Sequence, residues 1–333
     1  MAETENKNPK KKFIIFVLKF VLLIILATAA YQLLFWFLWK SEAGPDAYDS
    51  SYQRALLRQI YALEDPAREP EIIIFGSSYV PYGIDTKTIE ETLGDGTKAQ
   101  ILGIEAAIGI PYLIDVLKED AKPGDTVVYI LGESNPTETS IMSISAALEP
   151  DKEKLLAYWD KEGHIPDTYL TWRKIYALTA ATPLEMVRSR LSDKKQVYEI
   201  NSFDEKGNMT VERIGTEIST NADRDNTIEF EELKNESFDA LNDFKHYCDE
   251  NDITFVITYS PTVEESWKED GGMFSTFDKN VEDYMEADVL GGFEDFFLPG
   301  EYFYNHPLHP NSEGARIYSE RVAEKLKEYK QKQ

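Results

Sequence analysis

Apolar residues fall into contrasting patterns along this chain, and each pattern predicts a different element. From Phe13 to Trp39 they run almost unbroken, relieved only by Lys19, Gln32 and a few small residues. At ~1.5 Å per residue such a helix exceeds the ~30 Å hydrocarbon core of a bilayer, which predicts a transmembrane segment. Ile72–Phe75, Thr126–Leu131 and Ile253–Thr258 are short β-branched or aromatic runs without polar alternation, the pattern of strands buried on both faces. Apolar residues at helical spacing lie ahead of the first of these strands, over 52–63, and between the first two, over 85–93 and 111–120, with a short strand at 100–102. This β-α-β-α-β rhythm predicts an α/β domain with a mostly parallel sheet.

Residues 136–227 break the rhythm and read as an insertion over the sheet. Helices are expected there near 152–159, 170–178 and 183–191, before a polar stretch over 197–226. The core pattern resumes with a helix over 230–251, the strand at 253–258, a helix through 267–286, a short segment at 287–290 and a terminal helix over 312–329. The expected organisation is a tail (1–12), an anchor (13–39), a connector (40–70) and a domain spanning 71–330.

Charge orients the anchor. Lys10, Lys11 and Lys12 precede it and Ser41-Glu-Ala-Gly-Pro-Asp46 follows, so the positive-inside rule places the N-terminus in the cytoplasm and the domain outside. Ala27-Thr-Ala29 also fits a signal-peptide cleavage site, but the apolar run continues to Trp39, unlike a mature N-terminus. The chain of 333 residues has a net charge of −25. Six of its 35 basic but only two of its 60 acidic residues lie in residues 1–40, so the outer part carries −29. Nucleic acid is thereby disfavoured as a partner, as is electrostatic adhesion to anionic lipid. A single cysteine, Cys248, rules out an intrachain disulfide and reads as a buried structural thiol.

Candidate chemistry begins where the first strand ends, at Gly76-Ser77-Ser78. The C-terminal edge of a parallel sheet is where α/β proteins gather their sites. A serine there is either a nucleophile or the N-cap of the next helix. The second candidate is Tyr304-Asn-His-Pro-Leu-His-Pro-Asn-Ser-Glu-Gly314, directly before the terminal helix, which holds two of the four histidines. Neutral imidazole, with a pKa near ~6.5, suits the base that removes a serine proton. A capping loop through Asn311 or Ser312 and a surface metal site are the competing uses, and no metal is expected. Trp159 and Trp172 are read as core before sugar-stacking residues, and Phe293–Phe297 as core.

Taken in order, Gly76-Ser77-Ser78, Leu102-Gly103-Ile-Glu-Ala-Ala107, Leu131-Gly132-Glu-Ser-Asn135 and His309-Pro-Asn-Ser-Glu-Gly314 resemble the four blocks of the SGNH (GDSL-like) hydrolase superfamily. The likeness is to its membrane-anchored bacterial branch, similar to alginate O-acetylation proteins and teichoic-acid D-alanine transfer proteins, and Tyr82-Gly-Ile-Asp85 adds to it. It covers roughly 70–135 and 250–325. The resemblance implies a three-layer SGNH-like fold with one N-terminal transmembrane helix. It implies Ser78 as nucleophile, His309 as base, and an oxyanion hole from the Ser78 N–H, Ala106 and Asn135, with no cofactor. Where the family has an acid three residues before its histidine, this chain has His306, which leaves open a Ser–His dyad, a Ser–His–His arrangement, or an acid borrowed from Glu301 or Asp295. The implied function is acyl transfer, of acetyl before D-alanyl, to a cell-envelope or secreted polysaccharide or a teichoic-acid-like acceptor, beside a membrane-bound O-acyltransferase at the bacterial cell membrane. A carbohydrate acyl-esterase and a non-catalytic assembly or polymer-binding subunit are the alternatives.

Overall fold

A computed structural model describes residues 9–40, 52–132, 139–163, 197, 199–215, 237–265 and 273–333. Two units divide the chain, residues 1–50 with 166–194 and residues 51–165 with 195–333. In the first, helix α1 (Pro9–Lys40) forms from the long apolar run. Its segment Lys10–Tyr31 has a mean hydropathy of 2.8, is not buried, and is long and apolar enough to cross a membrane.

In the second unit, α2 (Ala55–Glu64) precedes β1 (Ile72–Phe75), and all four β1 residues are fully buried, so protein covers both faces of the strand. A one-turn helix, α3 (Tyr79–Gly83), follows at once, then α4 (Thr86–Leu93), capped by the Asp85 carboxylate and closed by Gly94 at φ 68°. Next come β2 (Ala99–Leu102), α5 (Ile110–Asp120) with Pro111 in its first turn, and β3 (Thr126–Leu131). From the insertion the described residues include α6 (Ile141–Leu148) and α7 (Lys152–Lys161), where the buried Trp159 donates its indole N–H to Ser145 at 2.8 Å as a core residue. The expected helices at 170–178 and 183–191, and Trp172, lie outside the described residues.

The chain continues with α8 (Asp239–Glu250), β4 (Thr254–Tyr259), β5 (Thr262–Val263), α9 (Met273–Tyr284), β6 (Asp288–Val289) and β7 (Phe297–Leu298). It ends with a hairpin of β8 (Phe303–His306) and β9 (His309–Pro310), then α10 (Ser312–Lys332). Phe293, Phe296 and Phe297 are buried, as their apolar character predicts. Cys248 is also buried, which pushes its thiol up to about 12 and leaves it inert.

The main sheet is parallel throughout, in the order β2-β1-β3-β4-β6. The chain steps from β1 to β2 on one side and then crosses to β3 on the other. The C-terminal end of β1 is therefore the point where the winding reverses, and neighbouring connections leave a crevice there. Two glycines bring the backbones together at this end. A Cβ on Gly103, at φ 150°, would stand 2.0 Å from the Gly76 carbonyl oxygen, so no other residue fits. The buried Gln59 of α2 fixes the approach, accepting from the Gly103 N–H at 2.9 Å and donating to its carbonyl at 3.2 Å. The segment expected as a connector thus contributes a helix to this unit.

Gly103→Ala must push β1 and β2 apart at the crevice. It is expected to destabilise the protein by about 3 kcal/mol, the scale of overpacking a dense core. Urea unfolding of the variant with a wild-type midpoint would contradict this reading.

Candidate active site

Ser78 stands directly after the β1 turn, half-buried, in helical backbone conformation at φ −57° and ψ −27°. Its position is that of the α3 N-cap, yet its side chain makes no capping bond. The hydroxyl meets His309 Nε2 instead, at 2.9 Å, across 231 residues of sequence. Of the two uses open to a serine at this junction, the side-chain geometry is the one a base-activated hydroxyl requires.

His309 is held from its other sides. Its Nδ1 lies 3.1 Å from the Asn305 side-chain oxygen. With Nδ1–H donating there, Nε2 is left to accept the Ser78 proton. Tyr82, on α3, stacks on the imidazole with centroids 4.1 Å apart and planes 10° apart. Ser78, Tyr82, Asn305 and His309 therefore form one connected group.

His306, at the expected acid position, does not take that place. The β8–β9 hairpin turns through Pro307 and Leu308, pairing His306 with His309 across the strands. Their rings lie 5.0 Å apart at 42°, and His306 Nδ1 accepts the Leu308 N–H at 3.3 Å. A register shift between Phe303 and His306 puts the Asn305 side chain, one residue earlier, on His309. Of the other acids considered, only Asp295 has its carboxylate engaged elsewhere. Asp295 pairs with Lys325 at 2.9 Å and accepts the Gly292 N–H at 3.0 Å, while Glu301 offers its main-chain carbonyl to Asn311 at 2.8 Å. Asn311 caps α10 by accepting the Gly314 N–H at 2.9 Å, as one reading of this loop anticipates.

Ala106 opens a 3₁₀ turn (Ala106–Ile108) and is exposed; among the described residues no hydrogen bond joins it to Ser78 or His309. Asn135 lies outside the described residues. Among those residues, no group of three His, Cys, Asp or Glu side chains is placed to hold a metal.

One participant has no signal in the sequence. Arg213, from the irregular insertion, is 6% exposed and lies 5.7 Å from the centroid of the Tyr82 ring that stacks on His309. Its guanidinium donates to the carbonyl oxygens of Tyr82 at 3.0 Å, Pro310 at 3.3 Å and Val211 at 3.4 Å. Main-chain bonds with Ser312 complete the clamp: the Arg213 N–H donates to the Ser312 hydroxyl at 2.8 Å, and the Ser312 N–H to the Arg213 carbonyl at 3.1 Å. The guanidinium's hydrogen bonds thus run to main-chain carbonyls, and burial pulls its pKa down to about 10. Only a polar residue within an otherwise apolar pattern could have hinted at it, and Val211-Glu-Arg-Ile214 has no such regularity.

Burial, then the His306 ring and the Arg213 charge, push the His309 imidazole down to about 3. The imidazole is neutral at physiological pH and costly to protonate. Since the unfolded chain binds that proton near ~6.5 and the folded chain does not, this group removes stability as pH falls below ~6.5 toward the folded value. Arg213→Met is expected to raise the His309 pKa while leaving it below ~6.5, because burial remains. NMR titration of the His309 ring protons measures it, and an unchanged or lower value would remove Arg213 from this account.

No protein-family model matches the chain, and no curated protein matches it. A solved structure from Streptococcus pneumonia, provisionally described as a platelet activating factor, is similar at 10% identity over 84% of this chain and 92% of that one, with a TM-score of 0.40.

Proposed function

We propose that the domain is a serine-dependent acyl-ester hydrolase held at the membrane by α1. The observation that carries this reading is the 2.9 Å contact between the Ser78 hydroxyl and His309 Nε2 at the C-terminal end of a buried parallel strand. In the reaction, Ser78 Oγ attacks an ester carbonyl as His309 Nε2 takes its proton. His309 then returns that proton to the departing alcohol, leaving the acyl group on Ser78. Water, deprotonated by the same nitrogen, releases the acid and restores the serine. Asn305 fixes the tautomer and ring plane, as the asparagine does in Cys-His-Asn proteases. The Ser78 and Ala106 N–H groups, with Asn135, are the donors proposed for the oxyanion.

The motif order supports the finer reading that this is a three-layer SGNH-type domain outside a bacterial membrane, with the N-terminus in the cytoplasm. A sugar hydroxyl in place of water turns the same acyl-enzyme into a transferase. On that second reading the acceptor is a cell-envelope polysaccharide, and a membrane-bound O-acyltransferase supplies the acyl group. The anchor favours it, since it holds the site beside a membrane-embedded donor.

Full-length protein in detergent, assayed with p-nitrophenyl acetate and by intact mass, tests the proposal. Ser78→Ala should lose turnover and any 42-Da adduct, a loss on the order of 10⁴-fold or more. Asn305→Asp supplies the missing charge, stabilises the imidazolium and should speed acylation about tenfold. Ser78→Ala with wild-type turnover would overturn the nucleophile. A wild type inert toward esters, even with polysaccharide acceptor and acyltransferase present, would favour the non-catalytic subunit.

A further inference from the structure

Acyl transfer from Ser78 creates a cation that no carboxylate answers. As Ser78 Oγ forms its bond to the ester carbon, its proton passes to His309 Nε2, so an imidazolium and a carbonyl oxyanion appear together. In a serine–histidine–acid relay the carboxylate steadies that imidazolium. Here Nδ1 meets the neutral Asn305 amide at 3.1 Å, and among the described residues no carboxylate bonds to His309. The titratable and charged neighbours oppose the cation: the His306 ring, 5.0 Å away between centroids, and the Arg213 guanidinium both press the imidazole toward its neutral form.

The ring of Tyr82 favours the cation instead. Tyr82 follows Ser78 by four residues, and its N–H donates to the Ser78 carbonyl at 3.3 Å. Side chains at that spacing leave a helical turn on the same side, so the two residues meet His309 together. The phenol and imidazole centroids lie 4.1 Å apart with planes at 10°, closer than the ~4.5–7 Å usual for aromatic pairs. In this face-to-face arrangement a positive imidazole lies against the negative face of the phenol ring, not its positive edge. The ring is held there from other sides. Tyr82 is 1% exposed, Tyr304 lies against it with centroids 6.5 Å apart at 20°, and Arg213 ties its carbonyl to that of Pro310.

We propose that Tyr82 is a positioning residue for acyl transfer, steadying the imidazolium of His309 by a cation–π contact in place of the carboxylate of a serine–histidine–acid relay. The proposal rests on Ser78 and His309 acting as nucleophile and base. A cation–π contact is worth more where water is excluded, as it is around a buried ring. Arg213 lies farther from the same centroid, at 5.7 Å, so the imidazole has the closer contact. Packing alone would ask Tyr82 only for volume and apolar surface, which a fluorinated ring supplies equally. A cation–π contact weakens as fluorine draws electron density from the ring face.

Substitutions at Tyr82 in the full-length protein in detergent test this. With p-nitrophenyl acetate, Tyr82→Leu should lose about tenfold in kcat with KM little changed, and Tyr82→Phe should recover most of that loss. Tyr82→Phe carrying one, two or three ring fluorines keeps the shape and should lower kcat stepwise. The second readout needs no turnover: the His309 pKa, followed by NMR in an Asn305→Asp background whose carboxylate raises it. There it should fall in the same order, from Tyr82→Phe through the fluorinated rings to Tyr82→Leu. Each variant is checked for a wild-type melting transition. Should Tyr82→Leu not fold, the fluorinated series decides alone; should Tyr82→Phe not fold, the series is made on tyrosine. Equal kcat in Tyr82→Leu and Tyr82→Phe, or a His309 pKa indifferent to fluorination, would overturn the proposal. Wild-type turnover in Ser78→Ala would remove the nucleophile instead, a result on which the pKa series does not depend.

Discussion

The terminal helix is fastened to the turn that follows Ser78, and the active-site geometry depends on that fastening. Ser319 of α10 is fully buried; its hydroxyl donates to the Gly83 carbonyl at 3.2 Å and accepts the Asp85 N–H at 2.8 Å. One turn face further, Tyr318 donates to the Tyr259 carbonyl at the end of β4, at 2.7 Å. Buried hydrogen bonds of this kind are costly to leave unmade, so the helix has one seat on the sheet edge. The hairpin carrying Asn305 and His309 leads straight into that helix and is thereby delivered to β1. Ser78 and His309, separated by most of the domain's sequence, become neighbours through this lock.

The electrostatics of the group set it apart from a serine–histidine–acid relay. An anion beside Nδ1 would raise the basicity of the imidazole and stabilise the imidazolium; a carboxamide only orients it. Burial and the nearby Arg213 and His306 press in the same direction, toward a neutral ring. On the proposed hydrolase reading, this arrangement gives a correctly oriented but weak base and a modest intrinsic acylation rate. Arg213 answers a structural need at the same time, tying the carbonyls of Tyr82 and Pro310 together from the back of the stack.

Residues 41–333 carry a net charge of −29, which anionic lipid repels, whereas α1 is long and apolar enough to cross a membrane.

Much of the architecture is legible from local pattern. Uninterrupted β-branched runs mark β1, β3 and β4 because a strand covered on both faces tolerates no polar alternation, and β3 begins and ends at the residues the pattern indicates. Asp85 marks the start of α4, since a carboxylate two and three residues before free N–H groups caps them. Ser78 and His309 stand out as a strand-end serine and a scarce histidine in a loop of prolines. Local pattern does not reveal which side chain supports His309: spacing points to His306, but the hairpin's irregular register turns Asn305 onto the ring. Nor does it reveal Arg213, whose role exists only because the insertion folds back against α3 and the final hairpin. The sequence by itself determined a helix long and apolar enough to cross a membrane, the parallel sheet and the two residues that can exchange a proton. Tertiary structure alone decided their partners, because contacts between distant segments are fixed by packing and register, which no short stretch of chain encodes.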